Sequence, residues 1–244
     1  MRALFVSDIH LDPNETAIAE VFLKFLAART GDADALYILG DLFEAWLGDD
    51  AITPFEQEII DALSVCSQSG TKLYFMHGNR DFLIRDHFSK LSHCTIINDP
   101  TLLNLNGIPT LLMHGDTLCS DDVEYQAFRD KLRQPGFMQE LLALPVARRT
   151  EIAQQYRTIS KEETGKKTDV IMDVNDETVK AMMNRFGAIR LIHGHTHRPG
   201  SHHVKLNACY GQRLVLGAWH QAGNFIECDQ EGCRPKAFPD SDYC

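Results

Sequence analysis

Ala3-Leu4-Phe5-Val6-Ser7-Asp8-Ile9-His10 is the stretch that decides the fold. Its apolar run reads as a strand buried on both faces, Ala3–Ser7, with an aspartate and a histidine two residues apart at its end. The arrangement recurs in order along the chain. Ala35–Leu39 ends in Gly40-Asp41, Lys72–His77 ends in Gly78-Asn79-Arg80-Asp81, Pro109–His114 leads into Gly115-Asp116, and Ile189–His193 leads into Gly194-His195-Thr196-His197. Between the first strands, Thr16–Arg29 places Ile18, Val21, Phe22, Phe25 and Leu26 at helical spacing, with Thr16 as N-cap and Gly31 as stop. Pro54–Ser69 reads as a second helix ended by Gly70, and Phe82–Leu91 as a short third. Alternating strands and helices of this kind imply an α/β (α+β) fold, two packed mixed sheets flanked by helices.

Further on, Thr101–Leu105 and Pro109–His114 flank Asn106-Gly107, the signature of a two-residue hairpin turn. Arg213–Trp219 and Asn224–Glu227 read as strands. From about Val123 to Phe186 no strand pattern occurs. That stretch reads as helices broken at Pro135-Gly136, Pro145 and Gly165, and is expected to be a helical insertion or lid (123–186) within a single domain spanning 1–244. Residues 129–167 carry nine Lys/Arg against five Asp/Glu in a chain of net charge −10. Such a local basic excess calls for an anionic partner. Phe137, Met138 and Leu141-Leu142-Ala143-Leu144-Pro145-Val146 lie just before Arg148 and Arg149. They fit either a core helix with a solvated basic end or a greasy flap for a lipid tail and an anionic head group.

An acidic chain argues against general nucleic-acid binding, which uses a basic face. No apolar run approaches the roughly 18 residues of a membrane span. The N-terminus reads as lacking a signal peptide, since the motif begins at once. The seven cysteines (Cys66, Cys94, Cys119, Cys209, Cys228, Cys233, Cys244) are odd in number and irregularly spaced, so free thiols are expected. A small metal site on Cys228, Cys233 and Cys244 is the alternative, without a clean zinc spacing.

The five motifs supply hard oxygen donors and imidazoles in the mix that two divalent metals need, which points to hydrolysis of phosphoester or phosphoanhydride bonds. Asp8 and His10, two apart in an extended chain, are expected to point the same way. Asp41 could bridge two metals with its two oxygens. Asn79 offers an amide oxygen, and His114, His195 and His197 add imidazoles. His87, His93, His202 and His203 read as surface groups, and His77, His193 and His220 as partners that orient the ligands.

The motif series Asp-x-His, Gly-Asp, Gly-Asn, lone His and Gly-His-x-His resembles the calcineurin-like metallophosphoesterase superfamily, with one departure. The family's histidine after Gly-Asn is here Arg80. That histidine usually assists an alkoxide leaving group. A leaving phosphate is already a stable anion, with a second pKa near ~6, and needs charge stabilisation more than a proton. Arg80 can give that as a fixed bidentate donor, which favours a pyrophosphate over an alkyl ester.

Four longer stretches narrow the resemblance: Leu36–Trp46, His77–Phe82, Met113–Cys119 and Ile192–Pro199, with Leu216–His220 in support. They look like the branch of the superfamily that hydrolyses UDP-2,3-diacylglucosamine in Gram-negative lipid A biosynthesis. The resemblance implies cleavage to 2,3-diacylglucosamine 1-phosphate (lipid X) and UMP, by attack of a dimetal-bound hydroxide on the UMP-side phosphorus. It implies two Mn²⁺ per chain and a peripheral position on the cytoplasmic face of the inner membrane. One metal would take Asp8, His10, Asp41 and His197, the other Asp41, Asn79, His114 and His195. The catalytic residues would be Arg80, Asn79 and His195. Substrate contacts would fall on Asn79, Arg80, Asp122, Ser160, Thr164, Lys167 and His195. Against this stand a dimetal hydrolase of a soluble nucleotide or nucleoside diphosphate, and a non-catalytic scaffold. The greasy insertion disfavours the former, and seven competent ligand positions disfavour the latter.

Overall fold

The computed structural model describes residues 1–164, 173–220 and 222–239, the side chains of 160–164 excepted. β1 (Ala3–Val6) pairs in parallel with β2 (Ala35–Ile38), which pairs with β3 (Lys72–Met76), and β3 with the short β4 (Thr95–Ile97). On the other side β1 meets β10 (Gly223–Asp229) antiparallel, and β10 meets β11 (Gly232–Phe238). This six-stranded sheet runs β11-β10-β1-β2-β3-β4. The second sheet contains β5 (Thr101–Leu105), β6 (Ile108–Met113), β7 (Arg190–His193), β8 (Gly200–Lys205) and β9 (Tyr210–Val215), in the order β5-β6-β7-β9-β8. Its central pairs β6-β7 and β7-β9 are parallel.

All four residues of β1 and of β2 are buried, because both faces of their sheet are covered. Ala3, Phe5, Tyr37, Leu39 and Met76 face Leu112, Ile192 and Leu214 of the second sheet. On the opposite face α1 (Thr16–Arg29) and α2 (Pro54–Gln68) bury Phe22, Phe25, Ile59, Ile60 and Leu63 against Leu4, Val6, Leu36 and Ile38, with Trp219 packed edge-on against both phenyl rings of α1. α7 (Asp176–Phe186) covers the outside of the second sheet with Val179 and Met183. α4 (Val123–Leu132), α5 (Pro135–Leu142) and α6 (Val146–Thr164) occupy the interval between β6 and α7. α6 is pinned by Arg149, only 3% exposed. That side chain donates to Leu144 O at 3.0 Å, Leu47 O at 2.5 Å and both oxygens of Asp50.

Several expectations need correction. The third helix, α3 (Asp86–Ser92), starts four residues later than expected. Asp49 reaches across from another loop to cap it, accepting from Arg85, His87 and Phe88 backbone N–H groups. Thr16 is the first helical residue of α1 rather than its cap; the helix runs to Arg29 as expected, with Thr30, whose hydroxyl donates to Leu26 O at 2.7 Å, as C-cap ahead of Gly31. β4, β8 and β11 carry no readable pattern: three residues, a polar edge and a proline-containing edge. The free-thiol expectation fails at one pair. The β10–β11 register sets Cys228 opposite Cys233, with Cα atoms 4.0 Å apart, and the two form a disulfide. Both thiols are thereby consumed, which removes the alternative metal site. Cys66, Cys94, Cys119 and Cys209 form no disulfide among the described residues, and Cys244 lies outside them. Asn106 and Gly107 both take positive φ, as the expected hairpin turn requires.

Candidate metal centre

Every motif follows the C-terminal end of a parallel strand: β1, β2 and β3 in one sheet, β6 and β7 in the other. The loops are laced together by backbone bonds. Asp8 N donates to Gly40 O, Ile9 N and His10 N to Asp41 O, Gly194 N to His114 O, and Trp219 N to Asp8 O, all at 2.8–3.1 Å.

The means of convergence differs from the expected strand alternation. Asp8, His10, Asp41, His195 and His197 all hold φ between 53° and 67°, in the left-handed region. Only Asn106 and His93 share it among the other described non-glycine residues. Asp and His tolerate this conformation better than bulky residues do, but it carries strain, and strain of this kind collects at functional sites. The glycines beside these residues make the close approach possible. A β-carbon on Gly40, itself at φ +89°, would sit 2.5 Å from the Gly78 backbone.

The side chains form two groups joined by one oxygen. In the first, Asp8 Oδ1 lies 3.4 Å from His197 Nε2, and His197 Nε2 lies 3.4 Å from His10 Nε2. In the second, the Asn79 amide oxygen lies 3.0 Å from both His114 Nε2 and His195 Nδ1. Asp41 Oδ2 stands between, 3.8 Å from His10 Nε2 and 3.9 Å from His114 Nε2. Its other oxygen accepts from Arg80 N at 2.8 Å, so the junction is a single oxygen rather than two.

These residues fit a pair of divalent cations on three counts. Asp8 Oδ1 is buried without a hydrogen-bond partner, while Oδ2 accepts from Ser7 Oγ at 2.5 Å and His195 N at 2.9 Å. The 3.0 Å spacing of the Asn79, His114 and His195 donor atoms matches the ~3 Å edge of an octahedron with ~2.1 Å bonds. The electrostatics point the same way. Burial opposes a charge on Asp8, yet His197 and His114 hold its carboxyl well below the usual range. Burial likewise opposes a charged His114, but Asp41, Asp116 and Asp8 lift its pKa to about 9. A proton on His114 thus balances negative charge that a cation would balance when bound. Burial and the neighbouring His114 push His195 down to about 4.

Behind this shell, His114 Nδ1 contacts Leu39 O at 2.8 Å, and Glu44 Oε2 lies 2.9 Å from His10 Nδ1. Asp81 ties two loops, accepting from Gly78 N and Leu42 N at 2.8 Å each. Burial and the nearby Asp41 carry its pKa to about 7. Asp116 is fully buried and accepts from Arg129 Nε at 2.5 Å and Tyr125 hydroxyl at 3.3 Å, and the Tyr125 ring centroid is 5.8 Å from that of His195. Glu44 and Tyr125 join the site without a motif of their own. Glu44, three residues after Asp41, had the motif's proximity as its signal, and Tyr125 had none.

Arg80 lies in the site with Nε buried and unpartnered and Nη1 3.9 Å from Glu44. Asp122 caps α4, accepting from Tyr125 N at 3.1 Å. Ser160 and Thr164 belong to α6, but their side chains, and Gly165, Lys161, Lys166 and Lys167, lie outside the described residues or side chains. Among the described residues, the ring contacts of the histidines expected to orient ligands fall elsewhere than on a candidate ligand. His77 contacts Ile84 O at 2.8 Å, His193 contacts Gly194 O and Arg213, and His220 is exposed. A backbone carbonyl and Glu44 fill those places instead. His87, His93, His202 and His203 are exposed, as expected.

The profile of the calcineurin-like phosphoesterases matches residues 1–199. The chain is a calcineurin-like phosphoesterase. Proteins named UDP-2,3-diacylglucosamine hydrolase are similar to this phosphoesterase over nearly its whole length. The one from Azotobacter vinelandii is 44% identical, covering 98% of this chain and 99% of its own. Those from Pectobacterium carotovorum and Salmonella typhi are 45% and 46% identical, each covering 98% of this chain and 100% of its own. Among solved structures, an archaeal phosphodiesterase (10% identity, TM-score 0.50, covering 98% of this chain and 100% of its own) has the same fold. So does zinc-bound Vps29 from Entamoeba histolytica (13% identity, TM-score 0.50, covering 99% of this chain and 94% of its own). The phosphoesterase has, among the described residues, no helix long and apolar enough to cross a membrane.

Proposed function

We propose that this phosphoesterase hydrolyses the pyrophosphate of UDP-2,3-diacylglucosamine, giving lipid X and UMP in lipid A biosynthesis. Asp8, His10, Asp41 and His197 would hold one Mn²⁺, and Asp41, Asn79, His114 and His195 the other. Bound divalent ions would supply Lewis acidity at phosphoryl oxygens and a lowered pKa for the attacking water. Five of the seven donors sit in left-handed turns, and the loops that carry them are laced together by backbone hydrogen bonds, which supports a prearranged site.

The observation that carries the anhydride reading is Arg80. Its backbone N–H fixes Asp41, while its buried Nε lacks a partner. A guanidinium so placed holds a phosphate without giving up a proton, which suits a phosphate leaving group. The identity and coverage of the relatives support the diacylglucosamine substrate. We assign 1–244 to a single domain and 123–186 to an insertion acting as a lid. Asp122, Ser160, Thr164 and Lys167 would touch the head group, while Phe137, Met138, Leu141 and Leu142 pack on the main core, as the core-helix alternative expects. The enzyme would work peripherally at the cytoplasmic face of the inner membrane and would not bind nucleic acid.

The test is incubation with UDP-2,3-diacylglucosamine and Mn²⁺ in ¹⁸O-water. UMP carrying the label, with unlabelled lipid X, is expected. No product, together with rapid turnover of aryl phosphates or of soluble nucleoside diphosphates, would overturn the reading.

A further inference from the structure

Glu44 sits where three parts of the site meet. Its Oε2 lies 2.9 Å from His10 Nδ1. Its Oε1 lies 3.0 Å from Arg157 Nε on α6 and 3.9 Å from Arg80 Nη1. The side chain is 14% exposed, so these contacts are partly shielded from water. We infer that Glu44 is a positioning residue that orients His10 and, through Arg157, seats helix α6 over the metal centre. The inference rests on the reading of His10 as a metal ligand.

An imidazole that binds a cation through one nitrogen needs its other N–H held, which sets the ring's tautomer and raises its basicity. The Nε2 of His10 faces His197 and Asp41. Nδ1 faces Glu44, so a proton there leaves Nε2 as the donor turned inward. His10 sits in a left-handed turn, φ 54°, with the Glu44 carboxylate on its Nδ1 side and the His197 ring edge-on at 5.3 Å.

The other oxygen looks to the helix. α6 is fastened near its start by Arg149 to Leu47 O and Asp50. Arg157 stands eight residues on, ~12 Å along the axis, and meets both Glu44 and Asp12, the latter at 3.6 Å. The short segment from Glu44 to Asp50 therefore holds α6 at two points and a metal-facing histidine at a third. A change at His10 is felt by Arg157 through the two oxygens of one carboxylate.

The test measures Mn²⁺ affinity by titration and amide exchange along residues 146–159 in wild type, Glu44→Ala, Glu44→Gln and Arg157→Met. Glu44→Ala is expected to bind Mn²⁺ about 10- to 100-fold more weakly. Glu44→Gln, which keeps an oxygen beside Nδ1 but loses the charge, is expected to recover part of that loss. Exchange in α6 should quicken roughly two- to fivefold in Glu44→Ala and Arg157→Met, the range of a half-exposed ion pair. Wild-type affinity in Glu44→Ala, or unchanged exchange in both variants, overturns the inference. Neither readout needs a substrate, so failure to cleave UDP-2,3-diacylglucosamine would refute the substrate alone. A wild-type protein that binds no Mn²⁺ would refute the ligand reading and this inference with it.

Discussion

Asp8 and Gly194 share a space that admits no β-carbon: one built on Gly194 would fall 2.3 Å from Asp8 Oδ2 and 2.1 Å from Ser7 Oγ. That oxygen accepts from His195 N at 2.9 Å, so the glycine packed against Asp8 immediately precedes the next candidate ligand. Gly194→Ala must push Asp8 or the His195 loop aside. A loss of about 1–3 kcal/mol in stability is expected from overpacking, with Mn²⁺ affinity falling alongside. Denaturant melts and a metal titration check this, and a variant with wild-type values in both would contradict it.

Arg80 serves through its backbone and its side chain separately. The backbone N–H remains to hold Asp41 in every variant at this position except proline. Arg80→Ala should therefore keep Mn²⁺ affinity while kcat falls roughly 10²- to 10³-fold, the usual cost of removing a preorganised charge-stabilising group. A parallel loss of metal would make Arg80 structural instead.

His114 makes metal binding pH-dependent. Without metal its pKa is about 9, raised against burial by Asp41, Asp116 and Asp8. Near pH 7.5 the ring is protonated and must shed that proton to bind a cation. Apparent Mn²⁺ affinity should climb about tenfold per pH unit between roughly 7 and 9 and flatten above. Calorimetry in two buffers of different ionisation enthalpy should record about one proton released per chain at pH 7.5.

His77, two residues before Asn79, provides a stability test that needs no bound metal. Burial, opposed in part by the Ile84 carbonyl, puts its pKa at about 4, below the ordinary ~6.5 of an unfolded histidine. Its contribution is complete above pH ~6.5 and drains away as pH falls toward 4, because the unfolded chain takes up the proton first. Asp81 and Asp99, raised to about 7 and about 6, act in the opposite sense over the same range, so the total curve mixes both. The difference between wild type and His77→Gln isolates the histidine. The variant should gain on wild type by about 1 kcal/mol per pH unit from 6.5 down to 4. A difference independent of pH would show that His77 titrates normally.

The sites of the five strand ends were legible because buried parallel strands are continuous apolar runs, and each breaks at a polar motif. The Asn106-Gly107 turn was legible for a similar local reason. What escaped depended on distance. Asp49 caps α3 from 36 or more residues away, which moves the start of that helix past Phe82. The expected pointing of Asp8 and His10 invoked strand alternation, whereas both residues leave the strand in left-handed turns. Cys228 and Cys233 pair because a strand register puts them opposite, and Glu44 becomes a partner of His10 only once β1 and β2 lie side by side. Polar edge strands such as β8 carry almost no burial pattern, so nothing in their composition marks them.

The left-handed turns at Asp8, His10, Asp41, His195 and His197 carry a consequence for evolution and for engineering. Glycine adopts that geometry without penalty, and each non-glycine residue held there costs on the order of 1 kcal/mol. A screen that rewards thermal resistance alone would accordingly favour glycine at the very positions that furnish the donors. Sturdier descendants of this chain would tend to be inert, and activity must be retained as a second criterion at every round of selection.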